Sequence, residues 1–232
     1  MLFDLSISII RGSVKYSELI SAIVGTIYFY KYKHTHLKYF LYLLWYITLT
    51  EFLGWYIIKY DIIKLLFIDE NGVKYNWWLY NLLRFITFNT LFYIYFKSLN
   101  DKSFKKWIKI FAFIYNIFYI INWALIQSFF YEMSVMPKVL GSLLLVTIAI
   151  FYFIELLKSD KIITYHKKLL FWISIGLILF YTGTIPFSIK ISGYALLKGI
   201  HNLFLIIWIL AILMYLIFAF GFIWSDKEEE VI

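Results

Sequence analysis

Two charged side chains, Glu51 and Arg84, lie deep inside long apolar runs. A charge held away from water is costly unless it is paired or bound. Arginine is also scarce here: the chain has 20 lysines and 2 arginines. A guanidinium stays charged and presents a planar fork of donors, which suits a buried carboxylate or an anionic ligand. Glu51 precedes Lys59 by eight residues, and Arg84 follows Lys74 by ten. On adjacent antiparallel helices both charges then sit about 12–15 Å below the same edge. The economical arrangement is an intramembrane ion pair, Glu51–Arg84, that fixes helix register or forms part of a ligand site.

Other polar groups gather at this depth. Trp77, Asn81 and Arg84 are spaced i, i+4, i+7, and Thr48, Glu51 and Trp55 share a face in the same way. Gln127, Thr182, His201 and Asn202 fall towards the same side. Glu51, Asn81, Arg84, Gln127, Thr182, His201 and Asn202 are therefore the candidate ligand-binding residues. The alternative is interhelical hydrogen-bond glue. The opposite half offers mainly Asn89 and Asn116. Pro186 frees the carbonyl of Thr182 and, with Gly183, forms either a hinge or a frayed last turn.

Catalytic chemistry finds no such support. With no cysteine there is no thiol nucleophile, zinc-thiolate site or iron–sulfur cluster. Of the four histidines, His34, His36 and His166 fall in basic connectors and His201 near a helix end. No cofactor and no metal site are expected, and no nucleophile elbow, zincin or phosphate-loop motif is present. The expectation is a protein that is not an enzyme.

The elements that must position these residues are membrane spans. The chain is 63% hydrophobic and 16% charged, with a mean hydropathy of +0.79. A soluble domain has roughly 45–50% apolar and 25% charged residues. Crossing a bilayer takes about 20 apolar helical residues. Seven runs qualify: 14–32, 39–58, 75–96, 110–131, 139–157, 169–189 and 197–224. They predict an all-α seven-transmembrane-helix bundle in one domain, 1–232. On this reading Lys15 and Glu18 sit at the edge of the first span.

Lysines and arginines near span ends set orientation. Connectors 1–2, 3–4 and 5–6 and the tail carry 13, and the opposite side carries 8. The N-terminus is therefore expected outside and the C-terminus in the cytoplasm. The net charge of +8 is then a basic ring at the inner leaflet, and nucleic acid is not a partner. No output domain follows the last span, so a signal would need a separate cytoplasmic partner.

The segments Leu170-Phe171-Trp172-Ile173-Ser174-Ile175-Gly176-Leu177, Phe180-Tyr181, Ile185-Pro186-Phe187 and Gly221-Phe222-Ile223-Trp224-Ser225 resemble a group of small uncharacterised bacterial seven-span membrane proteins. Those proteins are often encoded beside histidine kinases. The resemblance implies a sensory setting in the bacterial cytoplasmic membrane, with a kinase or other output protein as partner. In size and span number, and in Trp77-Trp78-x-x-Asn81, the chain also loosely resembles seven-helix nicotinamide riboside transporters. The leading expectation is a receptor-like or sensory subunit with an outward polar pocket for a small polar or anionic ligand. A small-solute transporter and a structural subunit of a membrane complex are the alternatives.

Overall fold

The computed structural model describes residues 2–68, 72–159, 164–194 and 200–227, and the side chains of 10, 12–68, 72–159, 164–188 and 204–227. Among these, α1 (Leu2–Ile27), α2 (Lys38–Lys59), α3 (Trp77–Ser98), α4 (Lys102–Ile121), α5 (Val135–Leu157), α6 (Leu169–Tyr194) and α7 (Ile200–Trp224) form the bundle. A short antiparallel hairpin, β1 (Phe67–Ile68) and β2 (Lys74–Tyr75), joins α2 to α3 and pairs Phe67 with Tyr75. Five helices, α2, α4, α5, α6 and α7, are long and apolar enough to cross a membrane. α1 and α3 have the length, 26 and 22 residues. They lack the apolar composition because α1 holds Asp4, Arg11, Lys15 and Glu18, and α3 holds Arg84, Lys97 and two asparagines. Large apolar side chains such as Phe52, Phe113, Ile120, Ile150 and Leu216 are exposed around the bundle, as lipid contact requires.

Several boundaries depart from the expected spans, among them the start of the fourth helix at Lys102 rather than residue 110. The first helix begins at Leu2 rather than at residue 14, because its polar residues interrupt a hydropathy count without breaking the helix. Glu18 therefore lies in the body of α1, not at an edge. The fourth helix ends at Ile121 and closes with a π turn, Asn122–Ile126, in which Gln127 N–H reaches back to the Asn122 carbonyl at 2.8 Å. The sixth helix does not fray at Pro186 but continues to Tyr194.

The helices close into a ring. α7 packs against both α6 and α1, and the circuit continues through α2, α3 and α5 back to α6. α4 stays outside, against α3 and α5. Glycines let α6 and α7 approach closely. A Cβ at Gly221 would fall 2.5 Å from Trp172 Cβ, and one at Gly176 would fall 2.6 Å from Phe218 Cε1. Tyr95, fully buried on α3, bonds Ser174 Oγ of α6 across the ring at 2.7 Å.

Side-chain bonds gather the connectors at two ends. At the tail end, Lys31 Nζ donates to the carbonyls of Ile223 (2.8 Å) and Ser225 (2.6 Å), capping α7 with a cation where its carbonyls are free. Glu155 accepts from the Asn100 and Asp101 N–H groups at 2.8 and 3.0 Å, and Asp101 N-caps α4 through Ser103 N–H at 2.7 Å. His36 Nε2 meets Ser98 Oγ at 2.6 Å. At the hairpin end, Phe67 stacks on Phe130 with centroids 4.3 Å apart, and Asn76 Nδ2 donates to the Gly54 carbonyl at 3.0 Å.

Two expected outcomes follow from this packing. Gly221→Ala forces Trp172 Cβ to shift, and over-packing of this kind costs about 1–3 kcal/mol. A lower unfolding midpoint in detergent, larger than that of a glycine with open space such as Gly12→Ala, checks it. His36 is held below its ordinary value of 6.5, first by burial and then by Lys97 and Lys105. The folded state then binds fewer protons than the unfolded one, so stability is lost as pH falls below that ordinary value. His36→Gln should flatten this part of the pH–stability curve.

Candidate functional site

The ring encloses a cavity of about 490 Å³. All six ring helices line it, and α4 contributes nothing. Most of its wall is apolar, including Leu43, Leu44, Leu91, Leu177 and Met214. Into this wall project Lys15 and Glu18 from α1, Glu51 from α2, Arg84 from α3 and Lys138 from α5.

Glu18 is 3% exposed. The hydroxyls of Thr48 on α2 and Tyr215 on α7 lie beside its carboxyl, as does the carboxyl of Glu51. Its Oε1 is buried with no hydrogen-bond partner. Arg84 sits across the cavity. The groups acting most strongly on it are the phenols of Tyr119, Tyr115 and Tyr181, with Glu51 after them. Its Nη1 is also buried without a partner, and Lys138 is its cationic neighbour.

The expected Glu51–Arg84 ion pair does not form. Lys74 pairs with Asp61 and Lys167 with Asp226, both away from the cavity, and no ion pair joins Glu51 to Arg84. Both residues line the cavity, but a matching level on neighbouring helices does not set the direction of the side chains. Arg84 is taken into the tyrosine cluster, and Glu51 lies towards Glu18.

The other candidates separate. Asn81 is fully buried and does not line the cavity. Its Nδ2 donates to the carbonyls of Phe129 (2.8 Å) and Glu132 (2.9 Å), and its Oδ1 accepts from Ser134 N–H at 3.0 Å. It thus holds the α4–α5 connector, and Tyr119 Oη secures its own carbonyl at 2.8 Å. Gln127 stays in that connector, accepting from Asn122 Nδ2 at 3.1 Å. Thr182 is exposed on α6 and outside the cavity. The side chains of His201 and Asn202 lie outside the described residues. Pro186 lies eight residues before the end of α6, also outside the cavity wall.

Glu18 and Lys138 were the residues that sequence reading passed over. Both read as boundary charges in the sequence: Glu18 because hydropathy places the first span from residue 14, Lys138 because it follows Pro137. The signal for Glu18 was its place nine residues before the helix end at Ile27, about 14 Å along the axis.

The tail-side floor of the cavity is aromatic. Phe40 and Phe218 line it and meet edge-to-face at 5.0 Å. Phe222 lies beneath, 6.0 Å from Phe40, and Tyr32 stacks on Phe222 at 5.4 Å. Asn89 and Asn116, the expected polar residues of this half, bond each other at 2.8 Å between α3 and α4, outside the cavity. A smaller cavity of about 290 Å³ lies between α1 and α2 and shares Lys15, Glu18, Glu51 and Trp55 with the main one.

Among the described residues no group of three or more His, Asp or Glu could hold a metal ion. Comparison with known proteins returns no matching family, no characterised relative and no solved structure.

Asn81→Ala strips three bonds from the connector and leaves Ser134 N–H and two carbonyls without their partner. A loss of about 1–3 kcal/mol is expected in detergent unfolding. Since Asn81 does not touch the cavity, any ligand bound there should keep its affinity in the surviving folded protein.

Proposed function

We propose that this chain is a receptor-like membrane subunit that binds a small charged ligand inside its helix ring. The observation that carries the reading is a charged, mostly apolar-walled cavity whose tail-side floor is closed by Phe40, Phe218, Phe222 and Tyr32. A transporter site needs a route to either side of the membrane. The polar residues that would extend such a route, Asn89 and Asn116, satisfy each other outside the cavity. All seven helices cross the bacterial cytoplasmic membrane on this reading, α1 and α3 included. Lys15 and Glu18 of α1 and Arg84 of α3 line the cavity.

The excess of lysine on the tail-end connectors orients that end to the cytoplasm. The cavity then lies towards the outer half, reached from the hairpin end where Ile58, Tyr80 and Lys138 line it. Ligand binding shifts the packing of the ring in proportion to its preference for one arrangement over another. The tail-end connectors, tied together through Lys31, His36 and Glu155, pass that shift to a cytoplasmic kinase or other output protein.

Reconstituted proteoliposomes test the distinction from a transporter. Radiolabelled amino acids, sugars and small carboxylates should show no uptake above protein-free vesicles, with or without an imposed gradient. Saturable uptake abolished by Arg84→Gln would contradict the receptor reading.

A further inference from the structure

The charges that line the main cavity do not cancel. Its wall holds three basic side chains, Lys15, Arg84 and Lys138, and two acidic ones, Glu18 and Glu51. With both carboxylates counted at full charge, one positive charge is left over. Any basic partner that Glu51 has outside the wall only enlarges that surplus. Arg84 and Lys138 form no ion pair with a described residue. Arg84 Nη1 is buried and donates to nothing. A guanidinium nitrogen without an acceptor is costly, and such groups are rare in folded proteins. The partner this wall lacks is an anion.

The cavity also has a side opening. The smaller cavity between α1 and α2 adjoins it through Lys15, Glu18, Glu51 and Trp55, which line both. Tyr16 and Phe52 line that gap and are exposed on the outside of the bundle. Towards the tail end the same seam is shut. There Trp45 Nε1 of α2 donates to Thr26 Oγ1 of α1 at 2.9 Å, and a Cβ at Gly25 would fall 2.9 Å from Leu41 Cδ1. Glu18 lies nine residues before the end of α1, about 14 Å along the axis. In a hydrocarbon core about 30 Å thick the gap therefore faces acyl chains. Arg84 and Lys138 line the main cavity alone, whereas Glu18 and Glu51 also line the gap. An anionic head is thus favoured inside and disfavoured at the gap. Lys15 stands at the gap too, but it is exposed, with Nζ over the Trp55 ring at 5.8 Å. The wall between, with Leu43, Leu44, Leu91 and Leu177, suits hydrocarbon. A volume of about 490 Å³ falls in the range of small-molecule sites, about 300–1,000 Å³.

We propose that the ring holds a single-chain carboxylate amphiphile drawn from the bilayer, its head at Arg84 and Lys138 and its chain running along the apolar wall to the gap between α1 and α2. This rests on the ligand-binding reading above and names the ligand class and its source. One surplus positive charge matches a carboxylate better than a phosphate monoester, which carries about −1.5 to −2. The gap lets a chain longer than the cavity end among the lipids, so the site selects for the head and tolerates length.

The test uses the full chain in phosphatidylcholine nanodiscs, in alkaline buffer, with dodecanoate carrying a mid-chain diazirine. Light-induced adducts mapped by mass spectrometry should fall on the inner wall, at residues such as Leu44, Leu91 and Leu177. Unlabelled dodecanoate should compete for these adducts at a mole fraction about tenfold or more below that needed with dodecanol or dodecylamine, the loss of one charge-assisted contact. Arg84→Gln should remove the preference for the acid over the alcohol. Thr48→Trp, which fills the gap, should weaken competition by dodecanoate and spare hexanoate, while Thr182→Trp, on an exposed site of α6, should change neither. The probe series on the unaltered chain decides the matter even where a variant fails to fold. Adducts confined to outward residues such as Phe52 overturn the proposal, as does equal or better competition by the alcohol or the amine. Stronger competition by hexanoate than by dodecanoate would leave the receptor reading standing and remove this inference. Saturable solute uptake into proteoliposomes would contradict the receptor reading and leave the amphiphile site in place.

Discussion

A charged side chain on a lipid-facing surface has neither water nor partner, so the bundle must turn such groups inward. Lys15, Glu18, Glu51, Arg84 and Lys138 all reach one enclosed space, and much of the structure follows from making that space. Closing it requires α7 to bridge α6 and α1. The close contact of Gly221 with Trp172 and of Gly176 with Phe218 permits that seam. α4, which brings no charge to the cavity, can remain outside the ring. Its tyrosines still contribute, because Tyr115 and Tyr119 pass inward to surround Arg84.

The two halves of the ring are built differently. Towards the tail end the interior is aromatic, from Phe218 and Phe40 to Phe222 and Tyr32. Below that floor Lys31 caps the end of α7 and Asp226 N–H bonds the Lys167 carbonyl at 2.9 Å. These aromatic rings are closely packed, and movement originating at the charged cavity would reach them through α2 and α7, which contribute to both. In the other half, Asn81 fixes the α4–α5 connector and Asn76 fixes the start of α3 to Gly54. Buried amides bonded to backbone groups hold the mouth of the ring in one geometry.

Much of this was legible in the sequence because apolar run length is a strong signal. α2, α3, α5 and α7 begin and end within a few residues of the expected runs, and Glu51 and Arg84 line one cavity. What failed depends on three-dimensional direction. Asn81 and Arg84 lie on one face by spacing, but one turns to a connector and the other to the cavity. The start of α1 was hidden because hydropathy counts Asp4, Arg11 and Lys15 against a span, although none of them breaks a helix. That hid Glu18, and with it the carboxylate neighbour of Glu51. The order of helices around the ring, with α4 excluded, has no counterpart in the linear pattern.

The enclosed charged space can be probed directly, since the chain has no native cysteine. Thr87 lines the cavity on α3, and Ile150 on α5 is 46% exposed on the outer, apolar surface. In lipid nanodiscs, a water-soluble charged thiosulfonate should modify Thr87→Cys readily and leave Ile150→Cys unreacted. A reactive Ile150→Cys beside an inert Thr87→Cys would contradict a ring of helices turned around its charges.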